Sequence, residues 1–438
     1  MTSTARHTSW SKDYQKKVVT AAEAVAHIKS GDSLYIQSNA AAPLPVIDAL
    51  VERADTLRNV EIFHILTMGP AAYTEARFKE SFRVHALFIG TNVREAVNEG
   101  RASYTPVFLS EIPGLFLSGR LAVDVCLLQV SPPDSHGYCS YGVSVDCTLA
   151  ARKRARIVIA EVNKQMPRTL GRSFVHVSRL DYIVETDRPI PQLDSKPPDE
   201  VSKAIGKNVA SLVEDGATLQ LGIGAIPDAT LNYLRSKRDL GIHSEMFSDG
   251  ILDLVEAGVI TNDLKTVLPG KIAVSFVMGS KRLYDFIDNN PFVEFQTSDY
   301  INDPAIIAQN YKMTAINSAL QIDLSGQICS DSVGDQLYSG FGGQVDFIRG
   351  ASRAPNGKPI IALPSTAKHN KVSRIVTHLS RGSGVVTSRG DVHYVVTEYG
   401  IADLYGRDLK SRAKALIEIA HPDFRETLEE EAAGVPWL

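Results

Sequence analysis

The chain has 438 residues, 44% hydrophobic and 22% charged, with a formal net charge of −4. That length favours two or three domains, each with its own core. The near-neutral balance argues against nucleic acid as the main partner, since phosphate binding needs a concentrated basic face. No apolar run approaches the length that spans a bilayer, so no membrane partner is expected.

From the N-terminus, residues 1–7 lack the hydrophobic stretch of a signal peptide, and the chain reads as cytoplasmic. A helical stretch at 21–28 leads through Gly31-Asp32 into a strand at 33–36. Further strands are predicted at 60–63, 84–89, 123–130 and 157–160, with helical stretches at 44–53 and 92–99 between them. Such alternation implies parallel sheets with crossover helices on both faces. Residues 187–199 hold four prolines without apolar periodicity and read as a linker. After it the pattern restarts, with a helix at 200–213 and a strand at 218–221. Helix, glycine turn, strand, then a Pro-containing loop into a helix thus occurs once in each half, a duplication of pattern without sequence identity. Strands at 272–276, 360–363 and 392–397 follow, and helices at 408–419 and 422–433 close the chain. The fold class read from this is α/β, with two similar open, mostly parallel-sheet domains at 1–187 and 200–438.

Several chemistries are disfavoured. Cys126, Cys139, Cys147 and Cys329 are few and irregularly spaced, as expected of reduced thiols. His136 with Cys139 and Cys147 matches no paired-ligand spacing, so no metal is expected. Gly382-Ser383-Gly384 has the wrong spacing for a nucleophile elbow. The Gly222-Ile223-Gly224 turn lacks the third glycine of a dinucleotide fingerprint, with Asp228 near its place, which speaks against a dehydrogenase.

What remains points to a carboxylate and a set of free amides. Gly241 to Gly250 places Glu245 at the tip of an apolar strand, and Met246-Phe247 beside it predict an enclosed, partly desolvated group. Most lone glutamates are surface or ion-pair residues, but an enclosed one costs stability and needs a reason. Upstream, the strand ending in Gly222-Ile223-Gly224 opens into a helix with Pro227 in its first turn, leaving orphan N–H groups. This turn reads equally as a structural turn or an oxyanion site. A second cluster, Gly340-Phe341-Gly342-Gly343 between aromatic residues, lets backbone approach a ligand closely. Residues 364–374, with Lys368, Lys371 and Arg374, read as a phosphate-binding loop or a basic turn, with a slight preference for the first.

In order along the chain stand Ser131-Pro132-Pro133-Asp134-x-His136-Gly137, Gly222-x-Gly224-x-Ile226-Pro227, His243-Ser244-Glu245-Met246, Gly340-x-Gly342-Gly343-Gln344-x-Asp346-Phe347, Thr397 to Leu404, and His421-Pro422-x-Phe424-Arg425. Together these six motifs resemble the acetyl-CoA hydrolase/transferase family of class I CoA-transferases, over nearly the whole chain. Within it the look is closest to 4-hydroxybutyrate and butyryl-CoA:acetate CoA-transferases. The resemblance implies two similar α/β domains with the active site in the cleft between them, and Glu245 as covalent nucleophile. It implies Gly342 and Gly343 at the oxyanion site, with Gly224 and Ile226 adjoining. Asn317 and Glu398 match polar positions near the thioester. Gly222, Gly224, Gly340, Lys368 and Lys371 fall where CoA is contacted. No permanently bound cofactor is implied; coenzyme A and acyl-CoA are substrates, carboxylic acids the co-substrates, and a homodimer the expected assembly. The expected activity is ping-pong CoA transfer between a short-chain acyl-CoA and a free acid. Its alternatives are an acyl-CoA hydrolase using the same glutamate and a non-catalytic acyl-CoA-binding protein.

Overall fold

Short, mostly aliphatic runs such as residues 125–130 and 358–362 form central strands of the two main sheets and are almost wholly buried. The computed structural model describes residues 4–193 and 197–438. It comprises two units: Met1–Leu193 with Val274–Tyr300, and Asp194–Ala273 with Ile301–Leu438. The mixed α/β class with open, mostly parallel sheets is the expected one.

The first unit is built on strands β1 (Ser33–Ile36), β2 (Val60–His64), β3 (Phe82–Ala86), β4 (Ala102–Tyr104), β5 (Val125–Val130), β6 (Ile157–Asn163) and β7 (Tyr182–Thr186). They lie in the order β4-β3-β2-β1-β5-β6-β7, all parallel. Every residue of β1 and β5 is buried. The crossover after β1 runs through helix α1 (Leu44–Glu52), whose Val46, Ile47, Ala49 and Leu50 face the core. Segment Val274–Tyr300 belongs to this unit, so the expected second domain at 200–438 is interrupted. Nor is the proline-rich stretch free at its start. Arg188 reaches the fully buried Glu161 at 2.7 Å, Ile190 is buried, and Tyr284 donates its hydroxyl to the Pro191 carbonyl. A charge such as Glu161 is tolerated inside a protein only when paired, and Arg188 supplies the pair. Asp194, Ser195 and Lys196 of the expected linker lie outside the described residues.

In the second unit helix α2 (Glu200–Leu212), capped by Asp199 accepting from the Ser202 N–H, precedes β8 (Thr218–Leu221). Then follow helix α3 (Ala225–Tyr233), β9 (Gly241–Ile242), β10 (Met313–Ser318), helix α4 (Gln344–Arg353), β11 (Lys358–Ala362), β12 (Tyr394–Thr397) and β13 (Gly400–Asp403). The sheet order is β9-β8-β10-β11-β12-β13, parallel except for the β12/β13 hairpin. Helices α2 and α3 pack so closely that a Cβ on Gly206 would sit 2.8 Å from Ala229. Glycine at that crossing sets where α3 begins and so where the Gly224 turn stands. Two helices close the chain: α5 (Leu409–Glu418), which turns Leu416 into the core, and α6 (Pro422–Ala433).

Candidate active site

Strand order reverses at β8, which pairs on one side with β9 and on the other with β10. In open α/β sheets, the carboxyl ends of strands at such a reversal diverge and leave a crevice where ligands bind. Here the crevice is a cavity of about 290 Å³ lined by Gln220, Gly222, Ile223, Ala225, Ile226 and Pro227 from β8 and the start of α3. Ile316, Asn317 and Ser318 from β10, Pro364 after β11, Ser202 of α2 and Glu245 after β9 complete it. Among these described lining residues Glu245 is the one ionisable side chain. A larger cavity of about 760 Å³ in the first unit, lined by Lys164, Met166, Ile190, Lys281, Tyr284 and Asp288 among others, holds none of the expected site residues.

Each residue before Glu245 secures its position. The His243 N–H bonds to the Leu219 carbonyl of β8, and its ring nitrogen Nε2 lies 2.9 Å from the Ile301 carbonyl. A carbonyl only accepts, so Nε2 carries a proton. Burial, with Lys265 adding to it, pushes the His243 pKa down to about 3. The Ser244 N–H donates to the Ala273 carbonyl, and its hydroxyl donates to Leu221 at the end of β8. Met246 and Phe247 are buried just beyond.

Glu245 itself keeps partial exposure, but its carboxylate group is enclosed by protein. Its Oε2 accepts from Asn302 Nδ2 at 3.0 Å, and the Gly343 backbone N–H donates to the same carboxylate. Burial raises its pKa above the usual glutamate value, while the two donors pull it back. Gly343 precedes α4, and the contact is so close that a Cβ there would fall 1.9 Å from Oε2. Phe347, one turn into α4, meets the His243 ring edge-on with centroids 6.3 Å apart. The helix that aims the Gly343 amide is thus packed on the histidine that anchors the glutamate.

The remaining expected residues divide. Asn317 and Gln220 exchange side-chain hydrogen bonds at 3.0 and 3.3 Å across β10 and β8, both facing the cavity. Gly224, at φ 117° and ψ −176°, precedes α3 in a conformation open to glycine alone. Gly342 also has positive φ, at 52°. Glu398, at the end of β12, does not line the cavity; it accepts from both the N–H and the hydroxyl of Ser365. Lys368 and Lys371 are exposed on a hairpin of Thr366–Ala367 with Val372–Ser373, and Gly340 is buried; none of these lines the cavity either. Asn302 went unnoticed in the sequence, where only its place before the Asp303-Pro304 helix start marks it. Asp134, first acid of the Ser-Pro-Pro-Asp motif, caps its own turn by accepting from the N–H groups of His136 and Tyr138, and it pairs with Arg168 at 2.8 Å. That motif is a built turn within the first unit.

Comparison with known proteins identifies the family of the chain. Residues 1–194 match the model of the acetyl-CoA hydrolase/transferase N-terminal domain, and residues 279–432 that of its C-terminal domain. The chain is 55% identical over 422 residues to a 4-hydroxybutyrate coenzyme A transferase of Clostridium kluyveri, covering 96% of this chain and 98% of that one. It is 50% identical over 415 residues to a succinyl-CoA:acetate/propanoyl-CoA:succinate CoA transferase of Fasciola hepatica, covering 94% and 86%. The crystal structure of a 4-hydroxybutyrate CoA-transferase from Porphyromonas gingivalis superposes with a TM-score of 0.84 at 42% identity, covering 97% of this chain and 99% of that one.

Proposed function

Because the chain belongs to the acetyl-CoA hydrolase/transferase family and is a CoA-transferase, we propose that it works through covalent intermediates on Glu245. The observation that carries this reading is the enclosed Glu245 carboxylate, held by two donors at the strand-order reversal of the second unit.

In the first step a Glu245 oxygen attacks the thioester carbonyl of an acyl-CoA. The C–S bond breaks, giving an acyl-glutamyl anhydride and CoA thiolate. The thiolate attacks the glutamyl carbonyl, expelling the acyl group as a free carboxylate and leaving a glutamyl-CoA thioester. A second acid enters and the steps reverse, so the kinetics are ping-pong. A carboxylate suits this task because the anhydride keeps the activation of the thioester. A serine ester would lose it. The helix N-terminus after Gly224 and the amides of Gly342 and Gly343 offer donors to the developing oxyanions. Asn317, which lines the cavity beside Gln220, meets the thioester in this reading. Glu398 belongs, in this reading, near the thioester, and Gly222, Gly224, Gly340, Lys368 and Lys371 to the path of the CoA moiety, where remote binding energy offsets strain at the reacting carbonyl.

The proposed substrates are a 4-hydroxybutyryl- or butyryl-length acyl-CoA, with acetate or acetyl-CoA as the exchange partner, supported by the names of the most similar relatives. No resident cofactor enters the scheme. A cytoplasmic homodimer completes the reading. Four free, buried cysteines suit a reducing compartment, and exposed Tyr399, Ile401 and Tyr405 on and beside the β13 edge strand suit an interface.

The test is adduct capture. Wild-type protein loaded with acetyl-CoA and treated with borohydride should carry a reduced residue 245, found by peptide mass. Glu245→Ala should lose transfer by at least about 10⁴-fold, as loss of a covalent nucleophile does. Substantial transfer by that variant overturns the proposal. An acceptor panel of acetate, butyrate, 4-hydroxybutyrate and succinate ranks the acids, and release of free thiol without any acceptor would mark a hydrolase instead.

A further inference from the structure

We propose that Gln220 is a positioning residue for Asn317: it fixes the plane and direction of the amide that meets the thioester. This rests on the thioester contact given to Asn317 above and goes beyond it by naming the side chain that aims that contact.

The register of the sheet brings the two amides together. Strand β8 pairs with β10 so that Gln220 stands opposite Ala315, and Leu221 and Ile316 are the last paired residues. Alternate side chains of a strand share a face, so Gln220, Ala315 and Asn317 lie on the same side. Asn317 sits two residues beyond Ala315, about 6.6 Å further along the strand. A glutamine is long enough to reach along that diagonal, past Ala315, whose side chain is a single methyl group. There it makes a reciprocal pair. Asn317 Nδ2 donates to Gln220 Oε1 at 3.0 Å, and Gln220 Nε2 donates to Asn317 Oδ1 at 3.3 Å.

The fold alone gives little reason for this pair. Gln220 is 1% exposed, in a strand whose four residues are all buried. Asn317 is its one side-chain hydrogen-bond partner among the described residues. Two apolar residues of the same shape would serve the sheet as well, since exchanging both partners of a buried hydrogen bond is nearly neutral. The cavity supplies the reason. Both residues line it together with Glu245, where β8 and β10 stop pairing.

Reciprocity is what lets Gln220 aim its partner. The last bond of an asparagine side chain has a broad, two-fold preference, so a lone amide turns either oxygen or nitrogen towards a ligand. Two bonds to one partner remove that freedom. Turning the Asn317 amide by itself would set oxygen against oxygen and nitrogen against nitrogen. The pair uses one N–H of each amide, and Asn317, only partly buried, keeps its second N–H for the cavity. A donor fixed before reaction stabilises developing charge at no cost in reorganisation.

The experiment is a double-mutant cycle on the rate of transfer. Asn317→Ala removes the donor, and kcat should fall about 10²- to 10³-fold. Gln220→Met keeps length and bulk but breaks both hydrogen bonds. Its kcat should fall about 10-fold, less than the ~10²-fold loss of a full ångström of misplacement, with KM for acyl-CoA changed less than threefold. Gln220→Asn keeps an amide one methylene too short to reach; it should match that loss, and it serves if the methionine variant does not fold. Added to Asn317→Ala, where nothing is left to aim, Gln220→Met should change kcat less than twofold. A folded Gln220 variant with kcat within twofold of wild type overturns the proposal. Equal losses in Gln220→Met and Asn317→Ala also overturn it, since a mere tie between strands is broken equally from either side. So does a Gln220→Met loss that persists in the Asn317→Ala background, which would make Gln220 a direct contact. Wild-type kcat in Asn317→Ala would instead overturn the thioester contact, and transfer surviving in Glu245→Ala the covalent reading, so the failures are distinguishable.

Discussion

Gly343→Ala adds one methyl group at the most crowded point of the site. Its Cβ would fall 1.9 Å from Glu245 Oε2 and 2.2 Å from Asn302 Nδ2. To reach ordinary contact at 3.4 Å the carboxylate must retreat by about 1.5 Å, more than the ~1 Å misplacement that already costs catalysis about 10²-fold. The backbone raises no objection, since Gly343 has φ −98° and ψ 5°, which alanine adopts freely. The atoms displaced are the ends of two side chains, of which Glu245 lines the cavity, so the fold should survive with little change in Tm. The expected outcome is a folded protein whose kcat falls at least about 10²-fold, equivalent to ~2.7 kcal/mol of lost transition-state stabilisation. The assay is initial-rate transfer from acetyl-CoA to an acceptor acid, beside a thermal melt and borohydride capture of the adduct. A Gly343→Ala enzyme with wild-type Tm and kcat within threefold would show that Glu245 does not rest against this turn during catalysis.

Two further substitutions separate backbone strain and titration from chemistry. At Gly224 an added Cβ meets open space, but φ 117° with ψ −176° is closed to other residues; Gly224→Ala should therefore cost of order 1–3 kcal/mol of stability, seen as a lowered Tm, and an unchanged melt would contradict the turn. His64 is fully buried, donates Nδ1–H to the Ile65 carbonyl, and has its pKa pushed down to about 4 by that burial. As pH falls from 6.5 towards 4, the unfolded chain binds a proton that the folded ring refuses, so stability declines by up to about 1.4 kcal/mol per pH unit from this group. His64→Gln removes that contribution, and its Tm deficit relative to wild type should shrink between pH 7 and pH 5. A constant gap would mean the histidine titrates normally.

The sequence by itself determined which segments become strands and helices, because that information is local. The helix at 422–433 and the strands at 33–36 and 218–221 stand where periodicity and flanking glycines put them. Where strands end depends on neighbours: the run 84–89 stops at Ala86. Strand β10, which carries Asn317, has no apolar run to announce it, since Thr314, Asn317 and Ser318 interrupt the pattern and burial comes from β8 and β11 on either side. The return of Val274–Tyr300 to the first unit was equally hidden, being a matter of which surface the segment packs on. At the site, Glu245 was legible because a carboxylate beside Met246 and Phe247 needs a reason to be there. Asn302 was not: one asparagine in a helix-start pattern looks like any other. Its contact with Glu245 forms only when the 301 carbonyl meets the His243 ring and brings the next residue to the carboxylate. Sequence periodicity reports how a residue relates to its chain neighbours, whereas a hydrogen bond between residues 57 positions apart exists only once the sheet order is set.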